Sequence, residues 1–196
     1  RAASNFLNIA ILALIVLGTL LALFAPLLVR LAAPGFGGEK FADTVLMTRI
    51  MFLSPLFLGM SAILGGILNS FKRFFAYSIA PLFYNFGIIF GAVVLVDIMG
   101  VYGLAVGVVI GSFLHFIIQV PSVFFSGFSW QGVFDFSDRH FRKIFSLMVP
   151  RALGLIVFQL NLWVITAIAS LLSTGSITIF NLANHLQFLP IGIIGY

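Results

Sequence analysis

Six charge-free apolar runs, each long enough to cross a bilayer, take up nearly all of this chain: Ala2–Val29, Ile50–Phe71, Phe74–Val96, Ile98–Phe134, Ala152–Leu172 and Ile177–Tyr196. A spanning helix needs about 20 mostly apolar residues. A helix of a water-soluble domain needs a polar face, which these runs lack. Barrel strands are shorter and alternate with a period of two, so the spanning element is the helix. The sequence predicts an all-α fold, a polytopic transmembrane bundle of six spanning helices.

Composition excludes several other classes. There is no cysteine, so disulfides and thiolate metal sites are out of play. The net charge of +5 comes from basic residues scattered between the apolar runs. That pattern is the positive-inside signature of a membrane protein rather than a nucleic-acid footprint, so membrane lipids and no nucleic acid are the expected partners. The first run is too long for the apolar core of a signal peptide. The chain opens on Arg1 and stops at Tyr196 inside an apolar run, so it is expected to be an internal piece of a longer protein.

Turn residues place the spans. The first runs from about Phe6 to Leu31 and ends at Ala33-Pro34-Gly35-Phe36-Gly37-Gly38; the second runs from about Thr44 to Leu68, with bends expected at Pro55 and Gly59. The third covers about Ser78 to Met99, with Pro81 in its first turn, where proline is tolerated. The fourth covers Tyr102 to Phe125, the fifth Pro150 to Leu172, and the sixth starts at Ile177. The short turn Leu172–Ser176 makes spans five and six an antiparallel hairpin. With Lys72 and Arg73 inside, the inner side also carries Arg1, Arg139, Arg142, Lys143 and Arg151, whereas the outer side holds only Arg30, Lys40 and Arg49. This asymmetry sets Arg1 on the cytoplasmic side.

Between spans four and five, Phe141, Ile144, Phe145 and Met148 recur at helical spacing opposite Asp138, Arg139, Arg142 and Lys143, with Ser137 or Asp138 as cap. The pattern predicts a helix lying in the membrane interface. Three segments follow: residues 1–125 with four spans, a cytoplasmic linker 126–148, and residues 149–196 with two spans. Gly103, Gly107 and Gly111, and likewise Gly87 and Gly91, repeat every four residues, the mark of close helix packing.

Polar residues inside spans are functional candidates. Gln159 and Asn161 lie near the middle of the fifth span, Asn184 and His185 well inside the sixth, and Asn85 in the third. Counted from the turn near Thr174, Asn161 and His185 fall at matching depth, so Gln159, Asn161, Asn184 and His185 are expected to share one midplane patch, either as a substrate site or as hydrogen-bonded glue between helices. Pro190, Gly192 and Gly195 then predict a bent sixth helix, a habit of transporters. His115 is read as a packed, satisfied histidine, and Arg49 and Arg151 as side chains reaching for head groups. No acidic residue lies deep in a span, the histidines are too dispersed for a metal site, and no catalytic motif is present. The expectation is a protein that is not an enzyme, binds no metal and has no cofactor.

A set of motifs resembles one family. Thr48-Arg49-Ile50-Met51-Phe52, Leu64-Gly65-Gly66-Ile67-Leu68-Asn69-Ser70-Phe71, Arg73-Phe74, Ala80-Pro81-Leu82 and Asn85 are similar to the MurJ/MviN lipid II flippases. So are Met148-Val149-Pro150, Leu153-Gly154, Gln159-Leu160-Asn161-Leu162, Ala169-Ser170, Gly175-Ser176, Asn181 to Leu186, and Leu189 to Ile193. The resemblance implies about fourteen helices in two lobes, within the superfamily of the MATE and Wzx exporters. Residues 1–125 would be the last four helices of the N-terminal lobe, and 149–196 the first two of the C-terminal lobe. It implies a carrier that moves lipid II, the undecaprenyl-diphosphate-linked peptidoglycan precursor, from inner to outer leaflet of the bacterial inner membrane by alternating access. Many relatives have Asp-Arg where this chain has Asn184-His185, and an Asp of a sodium site where it has Ile165. Coupling to membrane potential or a monovalent cation is an expectation from the family alone. The alternatives are a sister exporter of lipid-linked oligosaccharides or drugs, and a non-transporting membrane scaffold. The sequence sets no oligomeric state.

Overall fold

A computed structural model describes residues 2–194, with side chains placed for residues 3–188. Every regular element among the described residues is helical: α1 (Ala2–Leu23), α2 (Ala25–Ala32), α3 (Gly38–Met51), α4 (Leu53–Ser70), α5 (Phe74–Phe90), a π-helical turn (Gly91–Leu95), α6 (Val96–Met99), α7 (Tyr102–Ile117), α8 (Val120–Phe125), α9 (Arg139–Ser170) and α10 (Ser176–Ile194). Five stretches are long and apolar enough to cross a membrane: Ala3–Leu23, Gly38–Ser70, Phe74–Met99, Tyr102–Phe125 and Arg139–Ser170. The sixth expected span is also helical, as α10, and the helix continues through Pro190 and Gly192 to Ile194; Gly195 lies outside the described residues.

Proline explains where the spans are interrupted. It has no N–H for the carbonyl four residues back. Pro26 therefore leaves Ala22 without its helical donor, and α1 gives way to α2 at Phe24. Pro55 does the same to Met51, and α3 gives way to α4 at Phe52, one turn before the predicted bend. Gly59 is a packing position instead: a Cβ there would come within 2.5 Å of Leu14 Cδ1. The second span begins at Gly38, six residues before the expected Thr44, and the third at Phe74, so Pro81 sits inside α5 and not in its first turn.

The amphipathic segment after residue 137 is continuous with the fifth span. It forms the first turns of α9, which runs on through Pro150 without a break. No glycine lies in that stretch, and one proline removes only one hydrogen bond, so good helix formers on both sides carry the helix across.

The chain divides into two compact units. One comprises Arg1–Ala25 and Leu46–Leu147; the other comprises Pro26–Val45 and Met148–Tyr196. In the first, α4 packs on α1 and α7, and α5 on α7. Its core gathers Leu64, Ile67, Leu68, Ala76 and Val123. The glycine stripes meet as expected: a Cβ on Gly91 would lie 2.5 Å from Gly107 Cα, and one on Gly107 2.6 Å from Gly91 Cα. The π-helical turn starts at Gly91, within this seam. In the second unit, the loop after α2 packs on the end of α9.

Candidate functional site

The five candidate polar residues stand on three helices. Asn85 is on α5 in the first unit; Gln159 and Asn161 on α9, and Asn184 and His185 on α10, are in the second. Asn161 lies nine residues before the end of α9 and His185 nine residues after the start of α10. At about 1.5 Å of rise per residue, both are roughly 14 Å along their helices from the connecting turn. Depth agrees with the sequence reading; contact does not follow. Gln159, Asn161 and His185 are exposed and Asn184 is half-buried. No hydrogen bond joins one helix's polar pair to the other's among the described residues. The neighbouring residues Leu160, Trp163 and Val164 on α9 and Leu182 and Leu186 on α10 are bulky and exposed. Among the described residues these four make no hydrogen bond that would glue the two helices together. Asn85 is exposed on α5, beside exposed Leu82, Phe86 and Ile89.

The hydrogen bonds made by buried polar groups lie elsewhere. Ser4, Asn5 and Asn8 on the first turns of α1 are almost fully buried, and they hold the backbone of the segment before α9. Asn5 Nδ2 donates to the Asp135 carbonyl (2.8 Å), and the Asp135 N–H donates back to Asn5 Oδ1 (2.7 Å). Asn8 Nδ2 donates to the carbonyls of Gln131 (2.8 Å) and Val133 (2.9 Å), while Trp130 Nε1 donates to Asn8 Oδ1 (2.8 Å). These bonds supply partners to a strand-free segment that no secondary structure satisfies. The sequence reading missed this clamp. Its signal was two asparagines three residues apart at the start of an apolar helix, on one face.

A second network joins α4, α7 and the turn before α8. Ser61 Oγ and His115 Nδ1 are 2.6 Å apart, Gln119 Nε2 donates to Ser61 Oγ, and both Ser61 Oγ and Gln119 Nε2 reach the His115 carbonyl. His115 is thus packed and partnered, as its sequence position suggests. Gln119 is fully buried, four residues on and on the same face, and was not singled out. Its Oε1 has no hydrogen-bond partner among the described residues.

At the opposite ends of the spans, Arg49 Nε donates to the Ala22 carbonyl (3.2 Å) at the rim of a cleft of about 240 Å³ lined by Leu14, Gly18, Thr19 and Phe52. In the second unit, the Gly35 N–H donates to Ser170 Oγ (3.1 Å) beside a polar cleft of about 290 Å³ that includes Lys40, Ser173, Thr174, Ser176 and Thr178. Asn5 and Asn8 thus lie beside residues 131–135, and Gly35 lies beside Ser170. At the start of α9, Asp138 Oδ1 accepts from the N–H groups of His140 (2.6 Å) and Phe141 (3.1 Å). The Phe141 amide first, then the His140 amide and ring, hold this carboxyl below its usual range. No cluster of acids and histidines suited to a metal ion occurs among the described residues.

Comparison with known proteins is consistent along the chain. The family model described as "Lipid II flippase MurJ" matches residues 2–196. A probable lipid II flippase MurJ of Rickettsia prowazekii is 32% identical over 206 residues, which cover 100% of this chain and 40% of the relative. A lipid II flippase MurJ of Burkholderia cenocepacia is 31% identical over 166 residues, 81% of this chain and 32% of the relative. A probable lipid II flippase MurJ of Haemophilus influenzae is 32% identical, over 82% of this chain and 32% of its own length. The chain thus spans between about a third and two fifths of these relatives.

Proposed function

The chain belongs to the MurJ family of lipid II flippases, and from that premise we propose that it forms part of a carrier moving lipid II from the inner to the outer leaflet of a bacterial inner membrane. It is a multi-pass membrane protein. In the proposed mechanism two lobes alternate in access, and the headgroup diphosphate travels through a wet space between them while the polyprenyl tail stays in lipid. The chemistry is transport and not bond making.

The observation that supports this reading is the set of exposed polar groups on α9 and α10. Gln159, Asn161 and His185 lie at matched depth, stay exposed and make no hydrogen bond across the two helices. A polar group at mid-membrane depth is expensive unless something polar faces it. Amide and imidazole N–H groups suit the oxygens of a diphosphate, and Asn184 and Asn85 are the further groups proposed to face it. His185 stands where many relatives carry arginine. Arginine keeps its charge and its planar fork at any pH, whereas histidine carries full charge only when protonated. We propose that this carrier relies more on the side-chain amides of Gln159, Asn161, Asn184 and Asn85 and on coupling to the membrane potential or a monovalent cation.

The test is rescue of bacteria depleted of their own lipid II flippase, with lipid II on the outer face as the readout. Restored growth and outward lipid II support the reading, with activity falling in the His185→Ala variant and kept in His185→Arg. Good membrane expression without rescue assigns the protein to the sister exporters.

A further inference from the structure

Residues 26–45 and 148–196 are far apart in sequence yet form one compact unit, and one tie between them is specific. The Gly35 N–H donates to Ser170 Oγ (3.1 Å), while that hydroxyl donates to the Ala167 carbonyl (2.7 Å). Any Cβ at position 35 would overlap the Ser170 carbonyl. The loop Ala33–Gly38 therefore reaches the last turn of α9 only because residue 35 has no side chain. Ser170 and Ala169 are buried there, at 9% and 8% exposure. Both segments lie on the membrane side with few basic residues, the outer side by charge.

We propose that Gly35 and Ser170 form the outer closure of the carrier. This rests on the two-lobe reading above, in which residues 26–45 belong to the first lobe and 148–196 to the second. To open outward, such lobes must part where these loops meet. The tie suits that task. It includes a hydrogen bond and a close backbone approach that part together when the loops separate, so a cargo that binds the open form better can shift the balance. The polar cleft beside it, with Lys40, Ser173, Thr174, Ser176 and Thr178, lets water follow as soon as the loops separate.

The test uses the cysteine-free sequence. The Ala169→Cys and Asn161→Cys variants, made singly in the full protein, are labelled in membranes with an impermeant maleimide applied from either side. The expected result is slow outside labelling at 169, and labelling at 161 from the inside. Ser170→Ala is expected to speed outside labelling at 169 about fivefold, the shift produced by losing an ordinary hydrogen bond. Gly35→Val is expected to speed it further and to move labelling at 161 from the inner to the outer side. Fast labelling at 169 without either change overturns the closure, and so does labelling that neither change affects. A rise at 169 with no reciprocal change at 161 marks a static packing contact and overturns it as well. Ser170→Ala adds no bulk, so its result stands if Gly35→Val fails to fold. The labelling does not depend on cargo identity: failed lipid II rescue leaves a positive result intact, and successful rescue does not save a negative one.

Discussion

Arg49 donates from Nε to the carbonyl of Ala22 at 3.2 Å, and that carbonyl is free because Pro26 stands four residues further on. The proline opens the first span at Phe24, and a charged side chain from the second span closes over the exposed acceptor. A sequence reading of Arg49 as a head-group contact misses this half of its role. The expected outcome is that Arg49→Ala lowers stability by about 1 kcal/mol, a typical net hydrogen-bond contribution. In a Pro26→Ala background residue 26 regains its N–H, Ala22 regains its helical partner, and the cost of Arg49→Ala shrinks. Thermal unfolding of the four proteins in detergent measures the coupling as a double-mutant cycle; equal costs in both backgrounds would refute it.

Asn8 bonds three backbone or side-chain groups of the segment before α9, so its loss is felt there and not in α1. Asn8→Ala leaves the carbonyls of Gln131 and Val133 and the Trp130 indole N–H without their partner. A cost of about 1–3 kcal/mol is expected if the groups stay buried, less if the segment lifts away and finds water. Trp130 fluorescence separates the two: a red shift with little stability loss reports release of the segment, and an unshifted spectrum with a lower melting temperature reports a strained clamp.

The spans were legible because membrane helices announce themselves by length and apolarity. The glycine seam was legible because a four-residue repeat of the smallest side chain has one packing consequence, and Gly91 against Gly107 realises it. Matched depth for Asn161 and His185 followed from counting. The absence of a hydrogen bond between them among the described residues did not, because whether two side chains meet depends on how their helices are rotated and packed, which spacing within each helix does not set. The long-range clamps were hidden for a related reason. Asn8 to Val133 and Gly35 to Ser170 join residues more than a hundred positions apart, and their acceptors and donors include backbone groups that every residue type carries.

Gly91→Ala tests the seam. The added methyl would sit 2.5 Å from Gly107 Cα, against backbone that cannot rotate away. An overpacking cost of about 1–3 kcal/mol is expected. Gly66→Ala, also in a helix but with open space around its Cβ, is expected to be neutral or slightly stabilising, since alanine is the better helix former. Similar melting temperatures for the two variants would show that the seam yields easily.

Asp138 ties the start of α9 to solution pH. Its carboxylate accepts the Phe141 and His140 amides, which depresses its pKa. A depressed carboxylate contributes its full stabilisation above the unfolded value, near 4, and loses it as pH falls through the folded value. Hydrogen exchange at the His140 and Phe141 amides, corrected for its intrinsic pH dependence, should keep constant protection from neutral pH down to the ordinary carboxylate range and lose protection only below it. In the Asp138→Ala variant protection should be low throughout. Loss of protection already near neutral pH would point to a different group.

Ser61 is the hinge of the buried network. Its hydroxyl meets His115 Nδ1 at 2.6 Å and accepts from Gln119 Nε2, so one small side chain satisfies two larger ones from another helix. Ser61→Ala removes one hydroxyl, leaves half-buried His115 Nδ1 without its partner and leaves the buried Gln119 Nε2 with the His115 carbonyl alone, and polar groups that lose partners in such a setting cost more than the bond itself was worth. A loss of about 2–4 kcal/mol is expected. Adding Gln119→Leu should recover part of it, since the second change removes the amide N–H that lost the Ser61 hydroxyl along with the already unpartnered Oε1. Recovery in the double variant, measured by thermal unfolding, identifies the penalty as desolvation; a further loss would mean that Gln119 serves mainly by filling space between α4 and the turn before α8.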